Sequence, residues 1–162
     1  MKKIIIVCSI LLLIGCKSKT VVTTPESEPE IEIAKIVKLD VTAIEDAQKT
    51  KAYELGKRVL MTCNTSKFKP FNLSEATASV IKNTTEERLT KTCIRFRQYY
   101  GNFIDLQLVE AYKNNFDGTT LFRYKALYTK KVANKELRVT LNKENKVSSI
   151  KSLDWVNSFL MK

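Results

Sequence analysis

The sequence contains no histidine. That removes the commonest general base and metal ligand at neutral pH. Glycine is also scarce, with four in 162 residues, so no glycine-rich loop is available to cradle a phosphate. No nucleophile motif is recognisable, and the four cysteines show no CxxC spacing, which argues against redox catalysis. With no histidine and so few thiols, no metal site and no cofactor are expected. Arginine is the rarer cation, six of the 28 basic residues, the others being lysine. Nucleic-acid sites favour arginine for bidentate contacts and stacking, so a net charge of +11 does not by itself indicate nucleic acid. A solvated lysine surface accounts for most of it, with anionic lipid headgroups or acidic glycans as the other reading.

No apolar run is long enough to span a bilayer. The longest, Ile4 to Ile14, is interrupted only by Ser9. As a helix it would rise about 16 Å, roughly half of a hydrocarbon core of about 30 Å. It follows Lys2 and Lys3 and ends in Leu13-Ile14-Gly15-Cys16, the length and flanks of a signal peptide. This ending resembles the lipobox of bacterial lipoproteins. The resemblance implies that residues 1–15 are removed, that Cys16 takes a diacylglyceryl group on its sulfur, and that its new amino group is acylated. An ordinary secretory signal with an incidental cysteine is the plainer alternative. Two or three acyl chains on one residue hold a protein to a bilayer without a spanning helix. Lys17, where an aspartate is absent, resembles a lipoprotein sent to the outer membrane, facing the periplasm. Without Lys2 and Lys3 the formal charge falls from +11 to +9. An envelope location also removes most nucleic-acid partners.

Residues 17–30 carry two prolines, several Ser and Thr and interspersed acids, with no apolar periodicity. They read as a tether, and residues 16–40 are assigned to the lipidated cysteine and its linker. Ile31 to Leu39 regains Ile and Val and offers a short strand or a first packed segment. The folded domain is expected over residues 41–162.

Thr42 and Glu45 have capping-box spacing. Behind them Ala52, Leu55, Gly56, Val59, Leu60 and Cys63 share a narrow arc at helical spacing, giving a helix over about 43–63 that stops near Asn64. Gly56 on that stripe suggests close approach by another element. Phe68-Lys69-Pro70-Phe71 is a loop with two aromatic anchors, and residues 74–82 offer a short helix. Thr84 and Glu87 form a second capping box. Leu89, Cys93, Phe96 and Tyr100 then share one face, Arg88, Lys91 and Arg95 the other, and Gly101 ends the helix.

Beyond Gly101 the period changes from 3.6 to 2. Strands are expected over Phe103 to Tyr112, Phe122 to Thr129, Leu137 to Leu141 and Val147 to Leu153, with a turn at residues 114–118. Helices followed by an antiparallel meander give an α+β domain: N-terminal helices on one face of a curved sheet of about four strands.

This layout, with Tyr100-Gly101-Asn102-Phe103, Leu106-Gln107-Leu108-Val109-Glu110 and Tyr124-Lys125-Ala126, resembles the cystatin-like half-cone fold of the nuclear transport factor 2-like superfamily. Lipoproteins of Bacteroidetes-type bacteria often carry such domains. The resemblance covers residues 43–153 and transfers no catalytic residue. It implies a pocket between sheet and helices. Tyr99, Tyr100, Tyr112, Phe122, Tyr124, Tyr128 and Trp155 could line it, although core packing is the plainer role for them. Glu110, on the alternating face of Leu106 and Leu108, could join Tyr124 or Tyr128 as a carboxylate–tyrosine pair. A surface or salt-bridged Glu110 is the plainer reading. The opposite polar face carries Arg123, Lys125 and Arg138, which are solvated, paired with acids, or a docking surface. In an oxidising envelope Cys63 and Cys93 are a candidate disulfide, or two buried thiols.

Three functions follow as expectations. The first is a non-catalytic lipoprotein, held in the bilayer by acylated Cys16, that binds an envelope protein or small ligand. The second is an isomerase- or dehydratase-like enzyme. The third is an immunity or inhibitor lipoprotein.

Overall fold

The structure is a computed structural model and describes residues 35–159. The expected leader, Cys16 and the tether at residues 17–30 lie outside the described residues. The chain runs through β1 (Ile36–Leu39), a 3-10 turn (Val41–Ala43), α1 (Asp46–Thr65), α2 (Ala78–Asn83) and α3 (Glu86–Tyr100). Four longer strands follow: β2 (Phe103–Asn114), β3 (Thr120–Tyr128), β4 (Lys135–Leu141) and β5 (Val147–Asp154). All pair antiparallel in one open sheet, in the order β1-β2-β3-β4-β5.

The α+β class and the meander are as expected, but the sheet has five strands rather than about four. The extra one is β1, in the stretch that the sequence offered as a short strand. Its four residues are too few for periodicity to identify. It pairs with Ala111–Asn114, where β2 runs two residues beyond Tyr112.

The apolar stripe of α1 is buried as its spacing dictates, through Ala52, Leu55, Gly56, Val59 and Leu60. A Cβ on Gly56 would sit 2.8 Å from Leu137 Cδ2 and 3.0 Å from Val139 Cγ2, so glycine there lets α1 lie close on β4. The helix start differs from expectation. Asp40 accepts the Thr42 amide at 2.9 Å and sets a 3-10 turn, while α1 begins behind Glu45 with no side-chain cap. The end differs too. Ser66 closes the helix at φ 57°, and the Asn64 side chain instead bonds the amide and carbonyl of Phe103 at 3.0 and 2.7 Å. Asn64 is a clamp between the end of α1 and the start of β2.

The cap of α3 is Thr85, accepting from the Arg88 amide, one residue later than the expected Thr84 box. Gly101 ends the helix at φ 79°, where its amide bonds the Arg97 carbonyl. The core lies between the helices and one sheet face, where Phe122, Tyr124 and Ala126 of β3 share that face with Leu137, Val139 and Leu141 of β4, Phe122 opposite Val139 and Tyr124 opposite Leu137. Phe68 and Phe71 anchor the loop after α1, with ring centroids 5.3 Å apart. Arg58 bonds Glu75 through two parallel contacts of 3.0 and 2.8 Å, tying that loop back to α1.

Candidate functional site

The sheet buries side chains on both faces. The face away from the helices begins with an irregularity in β2. Leu108 pairs with Tyr124, but the next pair is Glu110 with Arg123, so Val109 is an extra residue in the strand. A one-residue bulge moves every following side chain to the other face. Glu110 therefore does not share the face of Leu108, as strict alternation had implied, and lies with Arg123 instead.

There it joins a chain of alternating charge. Lys38 Nζ and Arg123 Nη1 each reach a Glu110 carboxylate oxygen at 2.8 Å. Arg123 Nε and Nη2 reach Glu136 Oε2 at 2.7 and 2.6 Å, and Arg138 Nε reaches Glu136 Oε1 at 2.5 Å. Arg123 and Glu136 have no exposed surface. Such charges are tolerated out of water only when paired and hydrogen-bonded throughout. Arg123 also donates from Nη2 to the Val156 carbonyl. No buried side-chain nitrogen or oxygen among the described residues lacks a partner.

The C-terminal segment keeps water off this cluster. The Trp155 ring lies 4.0 Å from the Arg123 guanidinium carbon. Phe159 stacks on Tyr112 with centroids 3.8 Å apart and planes 16° from parallel, and the Arg138 guanidinium lies over the Phe159 ring at 5.0 Å. Burial works to raise the Glu110 pKa, but hydrogen bonds from Lys38, Arg123 and Tyr112 outweigh it and hold the carboxyl down at about 2. Burial and the adjacent Glu110 push the Tyr112 phenol up to about 12.

The expected pocket set is thus divided. Tyr100, Tyr124 and Tyr128 belong to the helix side, and Glu110 and Tyr112 to the opposite face. Tyr124 is core, 1% exposed, with its hydroxyl 3.5 Å from the Lys49 carbonyl and its ring 6.5 Å from that of Tyr53. Tyr128 packs between Tyr100 and Phe103, at 5.9 and 5.7 Å. Burial raises the pKa of both Tyr124 and Tyr128, the latter to about 12. Glu110 makes no pair with either; its tyrosine is Tyr112. Phe122 is fully buried core, and Tyr99 is exposed on α3.

Cys63 and Cys93 form a disulfide, with Cα atoms 4.6 Å apart, joining α1 to α3. No cluster of three or more His, Cys, Asp or Glu among the described residues could hold a metal ion. No helix among them is long and apolar enough to cross a membrane.

Two concavities matter. On the helix side an open depression of about 320 Å³ lies between α1 and the sheet, with Tyr53, Leu108 and Tyr124 beneath and Glu54 at its rim. Its only carboxylate is solvent-exposed. On the opposite face a cleft of about 210 Å³ lies beside the ion cluster. Tyr112, Arg138, Thr140, Ser149 and Lys151 line it, with Asp117 and Thr119 at one end. Every described carboxylate with a resolved pKa shift is held below its ordinary value, Asp105 by Tyr53 and Glu75 by Arg58 as their chief partners. None of these is poised to hold a proton at neutral pH and deliver it.

Sequence reasoning did not single out Glu136, the centre of the cluster. Its signal was in the hairpin register: Glu136 lies two residues from Arg138, whose direct neighbour across β3 and β4 is Arg123. Trp155 was proposed for the pocket on the helix side and covers the other face. Compared with known protein families, curated proteins and solved structures, the chain matches none significantly.

Proposed function

We propose that this chain is an envelope lipoprotein whose α+β domain binds a small polar ligand, or a polar side chain of a partner protein, without catalysis. Acylated Cys16 holds it in the bilayer, in the outer membrane facing the periplasm, and the domain is a half-cone of the cystatin-like, nuclear transport factor 2-like kind. Three register shifts, in β2 and between β4 and β5, support a curved sheet, because bulges bend and twist strands.

The observation that carries the non-catalytic reading is the distribution of packing. On the helix-facing sheet surface, where a half-cone enzyme would hold its substrate, Phe122, Tyr124, Leu137 and Val139 are packed to no more than 1% exposure, and the depression beside them offers only the solvent-exposed carboxylate of Glu54. A concavity lined by convergent polar groups of β2, β4 and β5 lies on the other face. At about 210 Å³ it falls below the volume usual for drug-sized ligands, which suits a small ligand or a single side chain.

The test is a thermal-shift screen of the purified protein against amino acids, short carboxylic acids and small sugars, followed by calorimetry. A ligand of this site binds the native chain and fails to bind Ser149→Trp, which fills the cleft from β5 while leaving the unliganded melting temperature within a few degrees. A ligand that binds both equally, or that is chemically converted, overturns the reading.

A further inference from the structure

α3 is the least buried long element of the fold. Of its 15 residues only Cys93 is buried. Its C-terminal half exposes Ile94 at 70% and Tyr99 at 59%, and Phe96 and Tyr100 are half-buried beside them around a hollow of about 310 Å³ that Arg95 also lines. The β3–β4 hairpin is fastened to this end: the Lys130 amide bonds the Tyr100 carbonyl at 3.1 Å, and Lys130 Nζ bonds the Gln98 carbonyl at 2.7 Å. The hairpin adds exposed Lys130 and Lys131, and Val132 at 71%.

Arg95, Arg97, Lys130 and Lys131 form no salt bridge with a described residue. The acids of α3 lie in its first turn, where Glu86 accepts the Phe68 amide and Glu87 pairs with Lys91, and Asp154 pairs with Lys135, which lies over Phe96 and Tyr100. This differs from the sheet face away from the helices, where Glu110 and Glu136 neutralise Arg123 and Arg138. The result is a group of unneutralised cations around protruding Ile, Tyr and Val side chains. Tyrosine at headgroup depth, basic side chains at the phosphates and aliphatic tips just below them are the chemistry of a membrane interface.

We propose that the C-terminal half of α3 and the β3–β4 hairpin form a docking surface for an anionic phospholipid bilayer, the one in which acylated Cys16 tethers the chain. The choice of membrane rests on the proposed acylation; the surface itself does not. Covalent reach permits the contact. Nineteen peptide steps separate Cys16 from Lys35, at most about 65 Å when fully extended, so the domain stays within that distance of its own bilayer. Charge complementarity selects the headgroups, and each cation near such a surface strengthens binding by about fivefold.

The experiment uses the protein recovered from a bacterial host after native processing, mixed with vesicles of neutral lipid alone or with about a third phosphatidylglycerol. Lysine acetylation rates are read by mass spectrometry at Lys131 and, as an internal reference beyond the other end of β4, at Lys143. Lys131 is slowed at least about threefold by the anionic vesicles and not by the neutral ones, while Lys143 is unchanged. The protection disappears in 0.5 M salt, where screening cuts the field within a few ångströms, and in the Arg95→Glu/Arg97→Glu variant. Equal Lys131 rates on both vesicles overturn the docking surface, as does protection that survives both the salt and the variant. Flotation with neutral vesicles reads the anchor separately. A chain that does not float refutes acylation, and its Lys131 footprint is still measured in excess anionic vesicles.

Discussion

Glu136 has both carboxylate oxygens in ion pairs and no exposed surface, with Arg123 on one side and Arg138 on the other. Removing it leaves two guanidinium groups facing each other without water, a loss of about 3–5 kcal/mol for a broken buried pair. Glu136→Ala is therefore expected to lower the urea midpoint by that equivalent at pH 7, far more than Glu144→Ala at the exposed β4–β5 turn. Glu110 sets a pH dependence. Its folded pKa is about 2, below the ordinary 4.5, so in that interval the folded chain binds fewer protons than the unfolded one. Stability then falls as pH drops from about 4.5 to about 2, by about 2–3 kcal/mol in total from this group. In Glu110→Gln that part of the slope vanishes, and an unchanged slope would refute the assignment. Neither carboxylate was placed correctly by sequence pattern. Alternation put Arg123 and Arg138 on one polar face, which holds, but the bulge at Val109 inserts a residue with no glycine or proline to mark it.

At the scale of elements, α3 shows what a disulfide can do for a helix with little core of its own. Leu89 packs at the core's edge, Phe96 and Tyr100 meet ring to ring at 5.4 Å, and Cys93 is bonded to α1. The bond closes a separation of 30 residues, a stabilisation of about 3–4 kcal/mol in the chain-entropy account. Reduction, or Cys63→Ser with Cys93→Ser, is expected to lower stability by that amount. Amide exchange should then accelerate first in α3, while Ala52–Leu60 of α1 remain protected by the sheet. Uniform acceleration in both helices would show that the disulfide acts on the whole domain instead. Long elements were legible because a short period repeats many times in them: twenty residues of α1 bury a stripe, and β3 alternates without a break. Short or irregular ones were not. Four residues of β1 carry too little pattern, and the caps moved by one to three residues: Asp40 takes the Thr42 amide and sets a 3-10 turn ahead of α1, and Thr85 takes the Arg88 amide one residue past the expected box.

For the whole molecule, net charge and its arrangement lead to different conclusions. The sum of +11 suggested only a basic surface, yet the cations fall into distinct populations. Arg123 and Arg138 are interior, balanced by Glu110 and Glu136 and covered by Trp155 and Phe159. Arg95 and Arg97 on α3, and Lys130 and Lys131 in the β3–β4 hairpin, are exposed, as are Ile94, Tyr99 and Val132 of the same segments. Composition cannot separate these populations, because the pairing depends on strand register. An outward basic surface gains most when its bilayer is covalently close, which makes Cys16 the position on which the larger reading turns. One acyl chain binds only reversibly and a second makes the anchor stable. The native chain is accordingly expected to enter the detergent phase on Triton X-114 separation, with an intact mass matching residues 16–162 plus two or three acyl groups. Cys16→Ser is expected to retain residues 1–15 and to show no acyl mass. Recovery of native chain beginning at Cys16 with a free thiol would reduce the lipobox to an ordinary secretory signal, and the domain would then reach membranes only through α3 and its hairpin.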